Sequence, residues 1–153
     1  MKKFISVILI VLGWCVLLLE PSPGVAASES GTLTCAAQTV FTTPASFNSI
    51  SLSALDVGAG VFIEPSGTAS GTLSAVLLGR SILGQAQQVV IDGTVLRGAI
   101  APDGRAYISG VATVGTLQGV PFSLVATTNS ATLTVGSVVL PAATVKGGLI
   151  SIE

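Results

Sequence analysis

The sequence predicts an all-β fold: an antiparallel β-sandwich or a small barrel of about ten short strands, placed after an N-terminal signal peptide. From Gly31 onward, short runs of β-branched and bulky residues alternate with glycine, proline, asparagine and serine. Frequent turn signals between short strands are typical of sandwiches and barrels. No segment keeps a convincing helical period over ten or more residues. Half of the residues are hydrophobic and 8% are charged, a composition that disordered chains do not have.

The first 27 residues have the layout of a secretory signal peptide. Lys2 and Lys3 precede an apolar run from Phe4 to Leu19, and Val25-Ala26-Ala27 supplies the small residues of a cleavage site. We therefore predict cleavage after Ala27 and a single all-β domain over residues 28–153. The alternative is a retained anchor helix, for which the apolar run is slightly short.

Runs of β-branched and bulky residues predict ten strands along the chain, at residues 32–42, 47–53, 60–64, 68–78, 88–91, 94–101, 105–116, 121–127, 131–139 and 144–152. Asp92-Gly93 is a two-residue hairpin signal, and Asn129-Ser130 is a weaker one. Gly79 to Gln88 is the best candidate for one short helical turn.

Pro102-Asp103-Gly104 is the clearest structural signal in the chain. Proline pre-sets φ, aspartate accepts hydrogen bonds from the turn backbone and glycine tolerates positive φ, as a type I turn closed by a bulge requires. This turn pairs Ala101 with Arg105, Ala99 with Tyr107 and Arg97 with Ser109. Because side chains alternate along strands, we assign one face to solvent and the other to the core. The predicted core face contains Leu96, Gly98, Ile100, Ala106, Ile108 and Gly110.

The next strand raises a conflict of register. A two-residue turn at Gln118-Gly119 would place Phe122, Leu124 and Ala126 on the solvent face, whereas burying them with Ile108 is strongly favourable. We therefore expect a longer loop, or a bulge at Gly110 or Gly115. A following turn at Asn129-Ser130 would then set Ala126 opposite Leu133 and Leu124 opposite Val135.

Cys35 is the only cysteine after the predicted cleavage site, so the exported domain cannot form an internal disulfide. An intermolecular bridge or a reactive thiol is one interpretation. Its neighbours Thr34, Ala36 and Ala37 are small, and this favours the other interpretation, a buried thiol that packs as a small hydrophobe.

Residues that carry catalysis are scarce. The chain has no histidine, which excludes Ser-His-Asp triads, Cys-His pairs and imidazole metal sites. The acidic residues of the domain are Glu29, Asp56, Glu64, Asp92, Asp103 and Glu153. Asp92 and Asp103 each precede a glycine, so we assign both to turns. We expect no catalytic residue, no cofactor and no metal, and the low charge argues against nucleic-acid binding.

Arg97, Arg105 and Tyr107 form the candidate contact patch. An arginine can stack on an aromatic ring or grip an anion, although a polar face also serves solubility. We expect an exported, non-enzymatic module, secreted or on the cell surface, with a structural, adhesion or binding role. Its partner would be an unknown protein or surface, or a second copy paired through β edges, with residues 28–44 and 149–153 as strand donors. A membrane would enter only through an uncleaved signal segment.

The sequence leaves two alternative functions open. The first is a carrier that holds an apolar small molecule inside a barrel, in a pocket lined by Ile108, Phe122, Leu124 and Val135. The second, less favoured, is a small outer-membrane barrel. Aromatic girdles are expected in such barrels, and the exported chain has only Phe41, Phe47, Phe62, Tyr107 and Phe122.

Overall fold

A computed structural model describes residues 30–153, and the predicted signal peptide with its cleavage site lies outside these residues. Strands account for 77% of the described chain, which contains no helix. No helical segment within residues 30–153 has the length and hydropathy that crossing a bilayer requires. The all-β prediction is confirmed.

The strands form one antiparallel sheet that closes into a ring. They are β1 (Gly31–Phe47), β2 (Ile50–Ile63), β3 (Thr68–Arg80), β4 (Ala86–Ile100), β5 (Ala106–Val114), β6 (Leu117–Ala126), β7 (Ser130–Val135), β8 (Val138–Val139) and β9 (Ala143–Ile152). The ring order is β6-β5-β4-β3-β2-β1-β9-β7, and β7 pairs with β6 to close it, while the short β8 lies beside β7. Of the two predicted architectures, the barrel is therefore the one observed.

Nine strands replace the ten predicted, because two pairs of predicted strands are continuous and the predicted strand 131–139 is divided into β7 and β8. β2 joins the predicted strands 47–53 and 60–64, and β4 joins 88–91 and 94–101. The predicted hairpin at Asp92-Gly93 is therefore wrong. Gly93 lies in extended backbone and faces inward, where a Cβ atom would sit 2.6 Å from Cε1 of Phe122. This glycine makes room for the phenyl ring and does not form a turn.

Three hairpins share one turn geometry, in which a glycine with positive φ closes a three-residue loop. They join β2 to β3 (Glu64–Thr68), β3 to β4 (Ser81–Gln85) and β4 to β5 (Ala101–Arg105). In the last, the Gly104 amide donates to the Ala101 carbonyl at 2.9 Å, and φ of Gly104 is 79°. The predicted Pro102-Asp103-Gly104 turn is confirmed. The short helical turn expected within Gly79 to Gln88 is wrong, since a β-turn occupies that place.

The β4–β5 register agrees with the prediction, apart from a bulge. Arg97 pairs with Ser109 and Ala99 with Tyr107, and the Ala101 amide donates to the Arg105 carbonyl at 2.8 Å. The ladder shifts between Val95 and Arg97, which leaves Leu96 as an extra residue on the outer face. Leu96 is 52% exposed, so its assignment to the core was wrong.

The register conflict at the β5–β6 hairpin is resolved by a bulge that lies elsewhere than predicted. Gly115 and Thr116 form the turn, and the ladder shifts between the Val114–Leu117 pair and the Ala112–Val120 pair. The extra residue is on β6, where Gly119 has φ 70°. This shift brings Phe122, Leu124 and Ala126 to the core face, as the apolar pattern requires, without a bulge at Gly110 or Gly115.

The β6–β7 turn is Thr128-Asn129, one residue earlier than predicted. Leu124 consequently pairs with Leu133 and Ala126 with Ala131. The difference between prediction and structure is two residues in register, and a shift of two keeps every side chain on its face.

The interior of the ring is one aliphatic cluster. Its largest fully buried side chains are Leu33, Leu55, Ile63, Leu73, Leu77, Ile91, Val95, Ile108, Leu124, Leu133, Leu140 and Ile150. The outward positions of β1 and β3 are mostly Thr, Ser, Ala and Gln. An eight-stranded ring has an interior about wide enough for side chains to fill.

The positions of the termini bear on the predicted strand donors. From Leu33 to Val40, β1 pairs with β2 on one side and with β9 on the other, and Phe41 pairs with β9. The stretch from Leu33 to Val40 therefore has no free edge. β9 pairs with β1 as far as Ile152, whereas its other edge pairs with β7 only at Ala143 and Thr144. Of the two predicted strand donors, as far as the structure describes them, the C-terminal part of β9 therefore has the longer unpaired edge.

Candidate contact surface

The β4–β5 turn places Arg97, Ala99 and Tyr107 together on the outer face of the barrel. Arg97 and Ala99 are two residues apart on β4, and Tyr107 lies directly opposite Ala99 on β5. The next strand continues this face, since Val125 of β6 lies opposite Tyr107 and Ser123 lies opposite Ser109. Tyr107 is 38% exposed, so part of its side chain is available for contact.

These side chains border a groove of about 410 Å³ on the outer face of β4, β5 and β6. Its lining residues are Gly67, Arg97, Gly98, Ala99, Tyr107, Ile108, Ser109, Ser123, Leu124 and Val125. Gly67 comes from the β2–β3 turn, and its carbonyl accepts a hydrogen bond of 3.1 Å from the Gly98 amide, which fixes that turn against β4. The groove combines a guanidinium, a phenol and two hydroxyls with an apolar floor.

Arg105 lies outside the lining of the groove. Its Nε donates to Oδ2 of Asp103 at 2.7 Å, and its backbone amide donates to Oδ1 of the same residue at 3.2 Å. The pKa of the Arg105 guanidinium is raised above its ordinary value, chiefly by the charge of Asp103 and then by Tyr107. Asp103 thus stabilises the turn, as predicted, and also forms an ion pair with Arg105. The predicted patch divides into Arg97 and Tyr107 at the groove and Arg105 beside it.

An exposed apolar ridge lies beside the groove and was not predicted. It consists of Leu96, Val111 and Pro121, of which Leu96 is 52% and Val111 is 44% exposed. Val111 pairs directly with Pro121 across the β5–β6 ladder, and Leu96 reaches the outer face through the β4 bulge. The sequence offered a signal in Pro121, because proline inside a strand indicates an irregular or exposed position.

Cys35 and Asp92, for which the sequence also made predictions, form contacts that stabilise the fold. Cys35 is buried, its Sγ donates to the Val57 carbonyl at 3.5 Å, and burial raises the pKa of the thiol from 9.0 to about 11. The interpretation of Cys35 as a buried small hydrophobe is confirmed.

Asp92 accepts a hydrogen bond of 3.0 Å from Ser74 on the outer face of β4, so its assignment to a turn was wrong. No cluster of three or more metal-ligating side chains occurs within residues 30–153.

The chain matches none of the protein families, curated proteins or solved structures with which it was compared. The geometry of the groove and the ridge is therefore the basis for any functional proposal.

Proposed function

We propose that the domain is an exported, non-enzymatic binding module whose contact surface is the outer face of β4, β5 and β6. The observation that carries this proposal is the groove itself, with Arg97 and Tyr107 at its border and the apolar ridge of Leu96, Val111 and Pro121 next to it. Aromatic residues and arginine are enriched at protein interfaces, and exposed apolar patches on small proteins are often functional. The partner is another protein or a cell surface.

The packing of the interior supports a module over a carrier. Ile108, Phe122, Leu124 and Val135, the residues expected to line a carrier pocket, are each at most 3% exposed and belong to one hydrophobic cluster. The Phe122 ring fills the space in front of Gly93, where not even a methyl group fits without displacement. A ligand of the carrier type would have to displace these side chains.

The distribution of side chains favours the module over an outer-membrane barrel. Membrane barrels direct apolar side chains to the lipid and polar ones to the lumen. Here the inward side chains are aliphatic, and the outward residues of β1 include Thr32, Thr34 and Gln38.

The experiment is an attachment assay with purified residues 28–153 on producing cells that lack their own copy. Arg97→Ser combined with Tyr107→Ala should reduce attachment at least about tenfold, because interface anchors of these types carry much of the binding energy. Lys146→Ser is the matched control, since it removes one exposed cation from β9, on another side of the ring. Arg105→Ser should have a smaller effect because Asp103 already engages that guanidinium.

Arg105→Ser and Lys146→Ser should keep the wild-type melting temperature, since exposed charges contribute little to stability, and a thermal melt establishes that the Arg97/Tyr107 variant folds. Equal attachment of the Arg97/Tyr107 variant and the wild type would remove this surface from consideration. Turnover of any substrate that a carboxylate substitution abolishes would contradict a non-enzymatic role.

A further inference from the structure

The most exposed aliphatic side chains are concentrated at one end of the barrel. Because neighbouring strands are antiparallel, the β1–β2, β3–β4, β5–β6 and β7–β8 connections share one end, which we call the aliphatic end. The β2–β3, β4–β5 and β6–β7 connections lie at the opposite end. Of the five most exposed large hydrophobic residues in the described chain, four are at the aliphatic end: Ile82 (90%), Leu83 (81%), Val139 (69%) and Leu117 (64%).

The local fold does not require Ile82 and Leu83, which lie in the β3–β4 turn. The two hairpins of the same geometry belong to the opposite end and have Pro65-Ser66 and Pro102-Asp103 at the equivalent positions. Those residue types favour such turns, whereas isoleucine and leucine do not. A contact outside the described fold accounts for aliphatic residues at these positions.

The charge of this end is a single cation. Among its four connections and the residues next to them, only Arg80 is charged. Nη1 of Arg80 donates to the Gly84 carbonyl at 3.1 Å, which holds the guanidinium beside the turn that contains Ile82 and Leu83. The carboxylates of residues 30–153 lie midway along strands or at the opposite end, at Asp56, Asp92, Glu64, Asp103 and Glu153.

The arrangement of these side chains favours a lipid surface over a protein partner. The polar β1–β2 turn, Asn48-Ser49, flanks the β3–β4 turn, since Ser51 pairs with Arg80. The aliphatic side chains are thus carried by separate loops with polar residues between them. A folded partner would need a pocket for each loop, and leucine and valine are under-represented among the residues that dominate protein–protein binding. A bilayer instead deforms around each loop and solvates polar groups in its headgroup layer.

We propose that the aliphatic end binds reversibly to a bilayer surface that contains anionic lipids. Ile82 and Leu83 enter the boundary between headgroups and acyl chains, and Arg80 contacts lipid phosphate with its remaining donors. Leu117 and Val139 lie at the edge of the contact. The sequence alone indicates a membrane contact only through the signal segment, so this contact is a second one. It leaves the groove accessible, because Gly67 and Ala99 place the groove towards the opposite end.

Flotation of residues 28–153 with unilamellar vesicles tests the proposal. The wild type should float with phosphatidylcholine–phosphatidylglycerol vesicles and bind more weakly to phosphatidylcholine alone. Ile82→Ser combined with Leu83→Ser should lower the partition coefficient at least about tenfold, because two aliphatic side chains no longer leave water. Leu149→Ser is the matched control, since it removes a leucine that is 67% exposed on β9, away from the aliphatic end. Circular dichroism melts establish that each variant folds.

Arg80→Gln tests the role of the charge. It should weaken binding to the phosphatidylglycerol vesicles about fivefold and leave binding to phosphatidylcholine unchanged, since a basic residue near an anionic surface contributes attraction of that order. The Arg97/Tyr107 variant of the groove should bind vesicles as the wild type does.

A single tryptophan reports insertion without removing the contact. Trp14 is the only tryptophan in the chain and precedes residue 28, so Leu83→Trp gives residues 28–153 one fluorophore. Its emission should shift to shorter wavelengths when phosphatidylglycerol vesicles are added, whereas the emission of Leu149→Trp should not.

A wild type that does not float would overturn the proposal, as would equal weakening by Leu149→Ser or unchanged emission from Leu83→Trp. Concentration-dependent association through Ile82 and Leu83 in the absence of lipid would assign this end to a second copy instead. Absence of vesicle binding, together with cell attachment that still depends on Arg97 and Tyr107, would remove the membrane contact and leave the proposed function standing.

Discussion

Glycine serves two physically different purposes in neighbouring parts of the barrel. At Gly104 φ is 79°, and an added Cβ atom would meet no other atom within 4 Å. At Gly93 the backbone is outside the left-handed region, but an added Cβ atom would lie 2.6 Å from the Phe122 ring. The turn therefore requires Gly104 for its dihedral angle, whereas packing requires Gly93 for its small size.

Gly104→Val should reduce the free energy of unfolding by roughly 1–3 kcal/mol, because a β-branched residue is strained at positive φ. Gly60→Val is the matched control. Gly60 has ordinary strand dihedrals on the open outer face of β2, where a Cβ atom also meets nothing within 4 Å. Chemical denaturation of both variants measures the difference. Equal stability of the two variants would contradict the turn geometry.

The buried thiol of Cys35 predicts a loss of stability at high pH. Its pKa is raised from 9.0 to about 11 in the folded state, so folding holds this proton more tightly than the unfolded chain does. The contribution is complete below about pH 9 and is lost as the pH rises through about 11, by up to roughly 2–3 kcal/mol at about 1.4 kcal/mol per pKa unit.

Denaturation of residues 28–153 between pH 7 and pH 11.5 measures this effect as the difference between the wild type and Cys35→Ala. The two proteins differ only at residue 35, so the contributions of the rest of the chain cancel in this difference. A difference that stays constant over the whole range would show that the thiol is not buried as described.

At the scale of strands, packing across the barrel decides what a short sequence motif does. Asp-Gly occurs at residues 92–93 and at residues 103–104, yet only the second pair forms a turn. At the first, inward aliphatic residues continue on both sides, and β4 keeps its ladders to β3 and β5 through Gly93. Pro102 supplies the additional signal that separates the two cases.

Gly93→Ala should destabilise the domain by about 1–3 kcal/mol, because the added methyl group overpacks against Phe122. Phe122→Leu should recover part of this loss when combined with it, with a coupling energy of at least about 0.5 kcal/mol. A double-mutant cycle measured by chemical denaturation gives this value. Strict additivity of the two substitutions would indicate that the strain at residue 93 arises from the backbone, as in a turn.

The parts of the barrel that could be predicted are those set by local chemistry. The residues of the Pro102-Asp103-Gly104 turn correctly predicted the pairing of Arg97 with Ser109, and the alternation of side chains along the strand correctly predicted that Tyr107 lies on the outer face. The bulges at Leu96 and at Gly119 could not be located, because their positions depend on which cross-strand registers bury the most apolar area. The groove could not be predicted either, since Gly67 and Ser123 come from elements distant in sequence from Tyr107.

At the scale of the whole molecule, the closed ring separates an aliphatic interior from an outer face rich in threonine and serine. Closure depends on β7, which joins β6 through five residue pairs and β9 through only two. The groove and the β3–β4 tip lie at opposite ends of β4, and both are on the outside. The groove is therefore a feature of the outer surface, and packed hydrophobic side chains fill the interior.

The sequence before the barrel predicts export with cleavage after Ala27. Intact-mass measurement of the product in the medium and at the cell surface should give a chain that begins at Ser28. A membrane-bound product that retains Met1 to Leu19 would show that the apolar segment is kept as an anchor. The barrel itself would be unaffected by that result, since it begins at Gly31.

Protection of Tyr107 during attachment is the most direct test of the contact surface. Tyr107 is the only tyrosine in the chain, so hydroxyl-radical modification followed by peptide mass analysis reports on one position. Leu149, which is 67% exposed on β9, provides an internal reference on another side of the ring. We predict that Tyr107 becomes protected when residues 28–153 are attached to cells, while modification of Leu149 is unchanged. Attachment that leaves Tyr107 as reactive as in the free domain would contradict the assignment of this face.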